Sequence, residues 1–405
     1  MIILFLVSIG WPLAPQDTTQ PLGNNWGEFQ QYGYTPYLHP GVDVMGITIE
    51  KPVYAVQDGV VKAWLTTSGE WHWRLAIADY ETNDSVEAWL YAHIDADMYH
   101  LNVGDMVTEG QLIGYLVEWP ITGFDHLHFA RIKDAGAVWS YGDWAFIQNP
   151  LTLMTPYDDT TKPVFESAVS NDLFALCLNN TSVYLSPDSI YGSVDIIARI
   201  HDKTGLPLPD TVWERLIPYM IEYEIHGPLN VPTTLSFIFH GILDHQNNVP
   251  VIYKDDGVCD TRGDYDERDY YFIVTNTDGD SIVEASDAAG CWVTTDFPDG
   301  DYWIVITAYD AAGTAGQDSM LVTVRNTGIA ENNESRIAGT LQVIPNPNHG
   351  SFVIYGMDKI SIFDVGGRLV AEGKSEFQNF TPGIYFIVSG DDRHYQSRKI
   401  VVIDR

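Results

Sequence analysis

Cysteine, basic side chains and long apolar runs are all scarce in this 405-residue chain, and each shortage excludes something. Cys177, Cys259 and Cys291 are the only cysteines, too few for a disulfide-stapled scaffold. One pair, Cys259 with Cys291, could close in an oxidising compartment and leave one thiol over; three isolated buried thiols is the alternative. Lys and Arg number 21 against 55 Asp and Glu, a net charge of −34. A surface of that sign repels phosphate backbones and anionic lipid, so neither nucleic acid nor a charged membrane is a fitting partner. After the N-terminus no stretch is long and apolar enough for a transmembrane helix. Residues 1–14 are apolar but too short to span a bilayer. They read as the apolar part of a secretory signal peptide ending near Pro12-Leu13-Ala14, without the basic residues that usually precede one. A buried N-terminal strand is the other reading.

What is plentiful points to β structure. Hydrophobic residues make up 45% and aromatic residues 13%, enough for packed cores, and the length predicts about two to four domains. Residues 26–150 read as short strands between Gly, Pro, Asp and Asn turns, forming a mainly antiparallel sheet. Val53–Val56 and Val60–Leu65 suggest a hairpin across Gln57-Asp58-Gly59, and Trp73–Ala78 and Ser85–His93 a second, broken by Thr82-Asn83-Asp84. Leu112–Val117 and His126–Ile132 complete the sheet. Core packing accounts for the seven tryptophans between positions 64 and 144, although Trp71, Trp73 or Trp119 could edge a peptide groove.

The chemistry-bearing stretch is Phe124-Asp125-His126-Leu127-His128-Phe129. Side chains alternate along a strand, so His126 and His128 project from one face. Two imidazoles on rigid backbone suit a metal, and His is a common ligand for zinc. His39-Pro40-Gly41-Val42-Asp43 could supply two more ligands. Pro40-Gly41 disfavours a helix there and predicts a loop turning into a strand. Three protein ligands would leave a coordination position for water, the catalytic type of site. His93 lies between the two stretches, in Tyr91-Ala92-His93-Ile94-Asp95.

This set and order resemble the lysostaphin/LytM-type zinc metallopeptidases, which cleave peptidoglycan cross-bridges. Pro52–Val61 and Asn102–Gly114 are similar to that family's first core hairpin and to its turn before the last strands. The resemblance covers about residues 26–150 and implies one zinc held by His39, Asp43 and His128. It implies that His93 and His126 flank the attacking water and the substrate, one carrying a proton and the other hydrogen-bonding the oxyanion. Asp95 and Asp125 could orient imidazoles from outside, or simply face solvent. Two departures stand out: Asp125 where the family usually has a Gly-Pro-type approach, and no arginine in Tyr34–Leu38. Both bear on groove shape. His72, His100, His201, His226, His240 and His245 read as packing or surface residues.

Residues 163–326 carry strands such as Val194–Ala198 and Tyr302–Ala308. Phe297–Tyr302 with Ala308–Gly313 is similar to the last hairpin of immunoglobulin-like or fibronectin-type modules, which implies either one β-sandwich with residues 205–250 as an insertion or two modules. The acidic run from Asp255 to Asp269 reads as a solvated loop rather than a calcium site. A polar linker, Gly328–Gly339, precedes residues 340–405. There Val343–Asn348, Ile360–Val370, Pro382–Val388 and Lys399–Val402 closely resemble the C-terminal sorting domain of type IX (Por) secretion, with Asp364-Val365-Gly366-Gly367 as a turn. That resemblance implies a small β-sandwich recognised by the type IX secretion machinery, and a protein exported through the outer membrane, secreted or attached at the cell surface. A terminal carbohydrate-binding sandwich is the alternative.

The fold expected is therefore all-β: an antiparallel LytM-type sheet, an immunoglobulin-like sandwich region and a small C-terminal sandwich. The function expected is a secreted zinc metalloendopeptidase acting on peptidoglycan stems or bridges. A non-hydrolytic surface scaffold and a peptidase acting on other peptides are the competing readings.

Overall fold

The computed structural model describes residues 8–402 except 33–34, 49–50, 67, 80–85, 96, 135–138, 140–143, 327–341, 345–350, 356–359, 365–367, 374–375 and 391–394. The expected turn at Thr82–Asp84, the linker Gly328–Gly339, most of Val343–Asn348 and the Val365–Gly367 turn lie outside those residues. Strands dominate, and among the described residues the one α-helical turn is Val249–Ile252. Residues 1–325 form one compact unit and 326–405 another.

The first unit opens with strands β1 (Leu22–Asn24), β2 (Phe29–Gln30), β3 (Tyr37–Leu38), β4 (Val42–Met45), β5 (Pro52–Tyr54) and β6 (Gly59–Leu65). They continue as β7 (Arg74–Ala78), β8 (Glu87–Ala92), β9 (Met106–Val107), β10 (Leu112–Tyr115), β11 (His126–Asp134) and β12 (Trp144–Gln148). The main sheet runs β1-β4-β11-β8-β7-β6-β9, with β12 also paired to β11. All its pairs are antiparallel. The central strand β11 buries Leu127, Phe129, Ala130 and Ile132 completely. Its position between β4 and β8 brings the two histidine-bearing stretches together.

One expected hairpin is not formed. β6 pairs with β7 and β9, whereas β5 pairs with β10 in a separate two-stranded ribbon. Both edges of β6 are occupied, and the β5 segment finds its partners elsewhere: Tyr54 N donates to Pro12 O at 2.8 Å and Ala55 N to Gln111 O at 2.9 Å. Residues 9–13, read from sequence as the end of an apolar leader or as a buried N-terminal strand, pack into the core of this unit. Ile9, Trp11 and Leu13 are buried, Ile9 bridges Met154, Leu13 bridges Val53, and the Trp11 indole donates to Pro156 O at 2.6 Å.

The middle region contains a five-stranded sheet centred on Ser193–His201, a four-stranded sheet and a two-stranded one. The supposed insertion at 205–250 supplies half of the four-stranded sheet: Met220–His226 and Val231–Ile238 pair with each other, and the first also pairs with Gly300–Tyr309. Ile221 and Ile225 are fully buried there, so removing the segment would strip the sandwich of a face. The middle region shares one hydrophobic core with the first sheet, from Trp26 and Phe29 through Phe239, Tyr253 and Tyr270. Asn149 Nδ2 donates to Phe239 O at 2.8 Å, the Trp26 indole to Gly241 O at 3.1 Å and Tyr253 OH to Gly27 O at 2.9 Å.

The expected disulfide is absent. All three cysteines are free; Cys177 and Cys259 share a small buried cluster to which Cys291 does not belong. The acidic run is solvated only in part: Asp255, Asp266 and Glu267 are exposed, and other acids of the run are tied into the structure. Asp256 accepts from Tyr184 OH at 3.0 Å, Asp269 accepts from Arg199 Nε at 2.6 Å, and Asp264 closes a turn by accepting from the N–H groups of Asp266 and Glu267 at 2.8 Å. The second unit holds a three-stranded and a four-stranded antiparallel sheet around Phe352, Ile354, Ile362, Phe377 and Ile387.

Candidate active site

Register builds the site. In β11 and β4, His128 stands opposite Asp43 and His126 opposite Met45. Cross-strand partners share a face, so the His128 and Asp43 side chains meet directly, and His126 lies two residues along on the same face. His39 enters from the loop before β4. His39 Nε2 stands 2.9 Å from His128 Nδ1 and 3.2 Å from Asp43 Oδ1, and His128 Nδ1 is 3.1 Å from that same oxygen. These three residues could hold a metal ion together. An ion about 2.0–2.1 Å from each atom of a regular tetrahedron needs ligand atoms roughly 3.3–3.4 Å apart, so the triangle is tight by only a few tenths of an ångström.

Backbone carbonyls set the histidine tautomers. His39 Nδ1 donates to Asn25 O at 3.1 Å, His126 Nδ1 to Phe124 O at 2.7 Å and His93 Nδ1 to Trp71 O at 2.5 Å. In the neutral rings each Nε2 is left as a lone pair, which is what a ligand or a base requires. The outer partners of these imidazoles are thus main-chain oxygens and not Asp95 or Asp125. Asp125 is buried and engaged elsewhere: it accepts from Trp119 N at 2.6 Å and pairs with Lys51. Asp95 caps a turn, accepting from Asp97 N at 2.8 Å. The Asp43 carboxylate has its own outer donor, Asn24 Nδ2, at 2.5 Å from Oδ2.

His93 follows β8 in the left-handed region, with φ +65°. Such a conformation costs a non-glycine residue on the order of 1–2 kcal/mol and needs its surroundings to hold it. His93 N donates to Trp73 O at 2.7 Å, and Val117 N donates to His93 O at 2.9 Å. The ring packs at 4.8 Å from His126 and 6.0 Å from His128, centroid to centroid. All five sequence-predicted residues therefore share one cleft of about 460 Å³.

Burial and charge pull the site's protonation in opposite directions. Burial opposes charge on His39, but Asp43 beside it lifts its pKa above the ordinary histidine value. Burial likewise disfavours the Asp43 carboxylate, yet the charges of His39 and His126 and hydrogen bonds from His128 and His39 hold it well below the usual range. Burial first, then the charges of its neighbouring histidines, drives His93 well down. His126 and His128 are lowered too, chiefly by burial.

Aromatic walls surround the triad. Trp71 and Trp119, read mainly as core residues, line the cleft, with ring centroids 6.3 Å apart. Trp119 lies 4.7 Å from the His93 ring and 4.6 Å from that of His126. His72, passed over in the sequence, also lines the cleft, as do Tyr32, Tyr37, Phe146 and Tyr265. No spacing signal marks these residues, because they come from loops, from the separate strands β3 and β12, and from a different region of the chain.

Comparison with known proteins places this cleft in context. Residues 37–139 match the family described as Peptidase family M23. Glycyl-glycine endopeptidase ALE-1 of Staphylococcus capitis is 32% identical over 112 residues, which cover 26% of this chain and 29% of that protein. Lysostaphin of Staphylococcus simulans is 33% identical over 112 residues, covering 26% and 21%. The chain therefore spans less than a third of the length of either relative. The crystallised catalytic domain of lysostaphin from Staphylococcus simulans is 26% identical, with a TM-score of 0.24, over 29% of this chain and 84% of that one.

Proposed function

We propose that residues 26–150 are a zinc-dependent metalloendopeptidase that hydrolyses peptide bonds in peptidoglycan stems or cross-bridges. One zinc per chain would be held by His39, Asp43 and His128. The observation that carries this reading is the convergence of two imidazoles and a carboxylate to within 3.2 Å, inside the stretch that matches a peptidase family. Zinc in such a site supplies Lewis acidity and lowers the pKa of a coordinated water.

The chain's own groups do the rest. Asn24 fixes the Asp43 carboxylate, and main-chain carbonyls hold the His39, His93 and His126 rings in the tautomer that offers Nε2. His126 Nε2 is 3.6 Å from Asp43 Oδ2, so a proton taken up there is supported by a carboxylate. We assign His126 the proton passed from the attacking water to the leaving amine. His93, whose Nδ1–H is committed to Trp71 O, has no N–H to offer an oxyanion while neutral, and its Nε2 instead accepts a hydrogen bond that orients the water or the substrate. Trp71 and Trp119 flank the cleft and limit access of bulk solvent.

The strand order of residues 340–405 and the two small sheets formed there support export by the type IX route, to the medium or the cell surface. Among the described residues no helix is long and apolar enough to cross a membrane. Mass spectrometry of purified cell wall after digestion tests the reading. New amino termini within the muropeptide stems or bridges are expected. Cleavage confined to a free polyglycine peptide would move the substrate outside cell wall, and sacculus binding with no bond broken would favour the scaffold alternative.

Two further outcomes follow from the geometry. A Cβ on Gly41 would meet His128 Cε1 at 2.6 Å and Phe129 O at 3.0 Å, so Gly41→Ala must displace the His128 ring. Zinc affinity, read by chelator competition, should fall by roughly tenfold or more. The second outcome concerns pH. Burial lowers the pKa of both His93 and His126, so each stays neutral as pH drops through the ordinary histidine value and is lost as a base only below it. The acid limb of kcat/KM, measured at saturating zinc, should lie below about pH 6.5. A limb at or above that value would contradict the assignment.

A further inference from the structure

The residue that closes the cleft opposite β8 comes from the middle region. Arg262–Gly263 and Arg268–Asp269 form a short hairpin whose turn carries Tyr265. Tyr265 OH accepts the Trp119 indole N–H at 2.8 Å. Its ring packs at 5.1 Å from Phe124 and 4.6 Å from Tyr32, and Phe124 in turn packs edge-on at 4.9 Å from His126. Trp119 is the side chain that covers both His93 and His126, so a chain of direct contacts runs from the hairpin to the two histidines.

The hairpin is fastened to the first sheet rather than resting on it. Gln31 N donates to Gly263 O at 3.0 Å, and a Cβ on Gly263 would come within 1.8 Å of Phe29 O, so only glycine allows this approach. The fully buried Arg268 side chain donates to Gly23 O at 2.5 Å and pairs with Glu28 at 3.5 Å. Glu28 also accepts from Tyr270 OH at 2.8 Å. Breaking a buried pair of this kind by removing one partner is costly, which makes the hairpin a fixed wall.

We propose that Tyr265 is a positioning residue of the active site: its hydroxyl holds Trp119 against His93 and His126, and its ring completes one wall of the substrate cleft. The middle region is then part of the peptidase and not a spacer. The inference rests on the reading of His126 as the group that carries the proton and of His93 as the group that orients the water or the substrate.

The test compares the full chain with Tyr265→Phe, Tyr265→Ala, Trp119→Phe and the Trp119→Phe/Tyr265→Phe double variant, each checked for zinc content and thermal midpoint, on a muropeptide substrate. Tyr265→Phe keeps the ring and loses the hydroxyl, so kcat should fall roughly tenfold with KM nearly unchanged, as for a small misplacement of catalytic groups. Tyr265→Ala should raise KM as well, because the wall opens. The double variant should be no slower than Trp119→Phe alone, since both changes act through one contact. Zinc content should stay at the wild-type level throughout. Wild-type kcat in Tyr265→Phe, or losses that multiply in the double variant, would overturn the inference while leaving the peptidase reading intact. A wild-type chain without turnover would sink that reading, and this inference with it.

Discussion

Replacing His128 by alanine is expected to abolish zinc binding and hydrolysis together while leaving the fold in place. His128 supplies one corner of the ligand triangle, 2.9 Å from His39 Nε2 and 3.1 Å from Asp43 Oδ1. Two remaining ligands do not make a closed tetrahedral site, so zinc should be lost on dialysis and kcat should drop by at least about three orders of magnitude. Asp43 would keep Asn24, His39 and His126 as neighbours, and the buried apolar face of β11 would be untouched. Circular dichroism and the melting midpoint should therefore stay close to wild type. Zinc at full occupancy in His128→Ala would show that the ligand set is wrong.

His126→Ala and His93→Ala should separate chemistry from metal binding. Neither residue belongs to the triangle, and the rings of both are held by main-chain carbonyls and by Trp119. Each variant should retain zinc and lose roughly 10²–10⁴-fold in kcat, the range for a positioned acid–base group. His126→Ala should be the more severe, because its Nε2 has the Asp43 carboxylate within 3.6 Å to support a proton. Losses in groups that act as a unit do not add, so the double variant should be little worse than His126→Ala alone. Equal zinc content with wild-type turnover in either single variant would remove that histidine from the mechanism.

The five candidate residues that share the cleft could be picked out in the sequence because the signal is local and their order resembles that of a known family. An alternating His-Leu-His on an apolar strand reports its own face, and Pro40-Gly41 between His39 and Asp43 disfavours the helical reading of that spacing. What joins them is register, and the sequence does not display register: His128 faces Asp43 because β11 sits between β4 and β8. The outer support was harder to foresee. It is made of the carbonyls of Asn25, Phe124 and Trp71, atoms that every residue possesses, so no residue type could point to them. Asp125 was misjudged for the converse reason: a carboxylate beside a histidine suggests an orienting role, but tertiary packing turns it toward Lys51 and the Trp119 amide.

The all-β fold followed from alternation and turn residues, and its connectivity did not. Val53–Val56 and Val60–Leu65 are bridged by an Asp-Gly turn signal, yet each pairs elsewhere, because a short strand takes whichever edge buries its apolar residues and satisfies its amides. The same limit explains the stretch 205–250, read as an insertion because one sandwich module needs only about 100 residues, although Met220–His226 and Val231–Ile238 form half of a four-stranded sheet. Tyr265 marks the furthest reach of the problem. Nothing in its neighbourhood in sequence connects it to Trp119, and only the shared core of the two regions brings them together.

Metal analysis of the purified chain beside its Asp43→Ala variant addresses the central claim most directly. About one zinc per chain in the wild type and almost none in the variant is the result expected of three ligands acting together. Zinc that remains at wild-type stoichiometry after the Asp43 carboxylate is gone would contradict it.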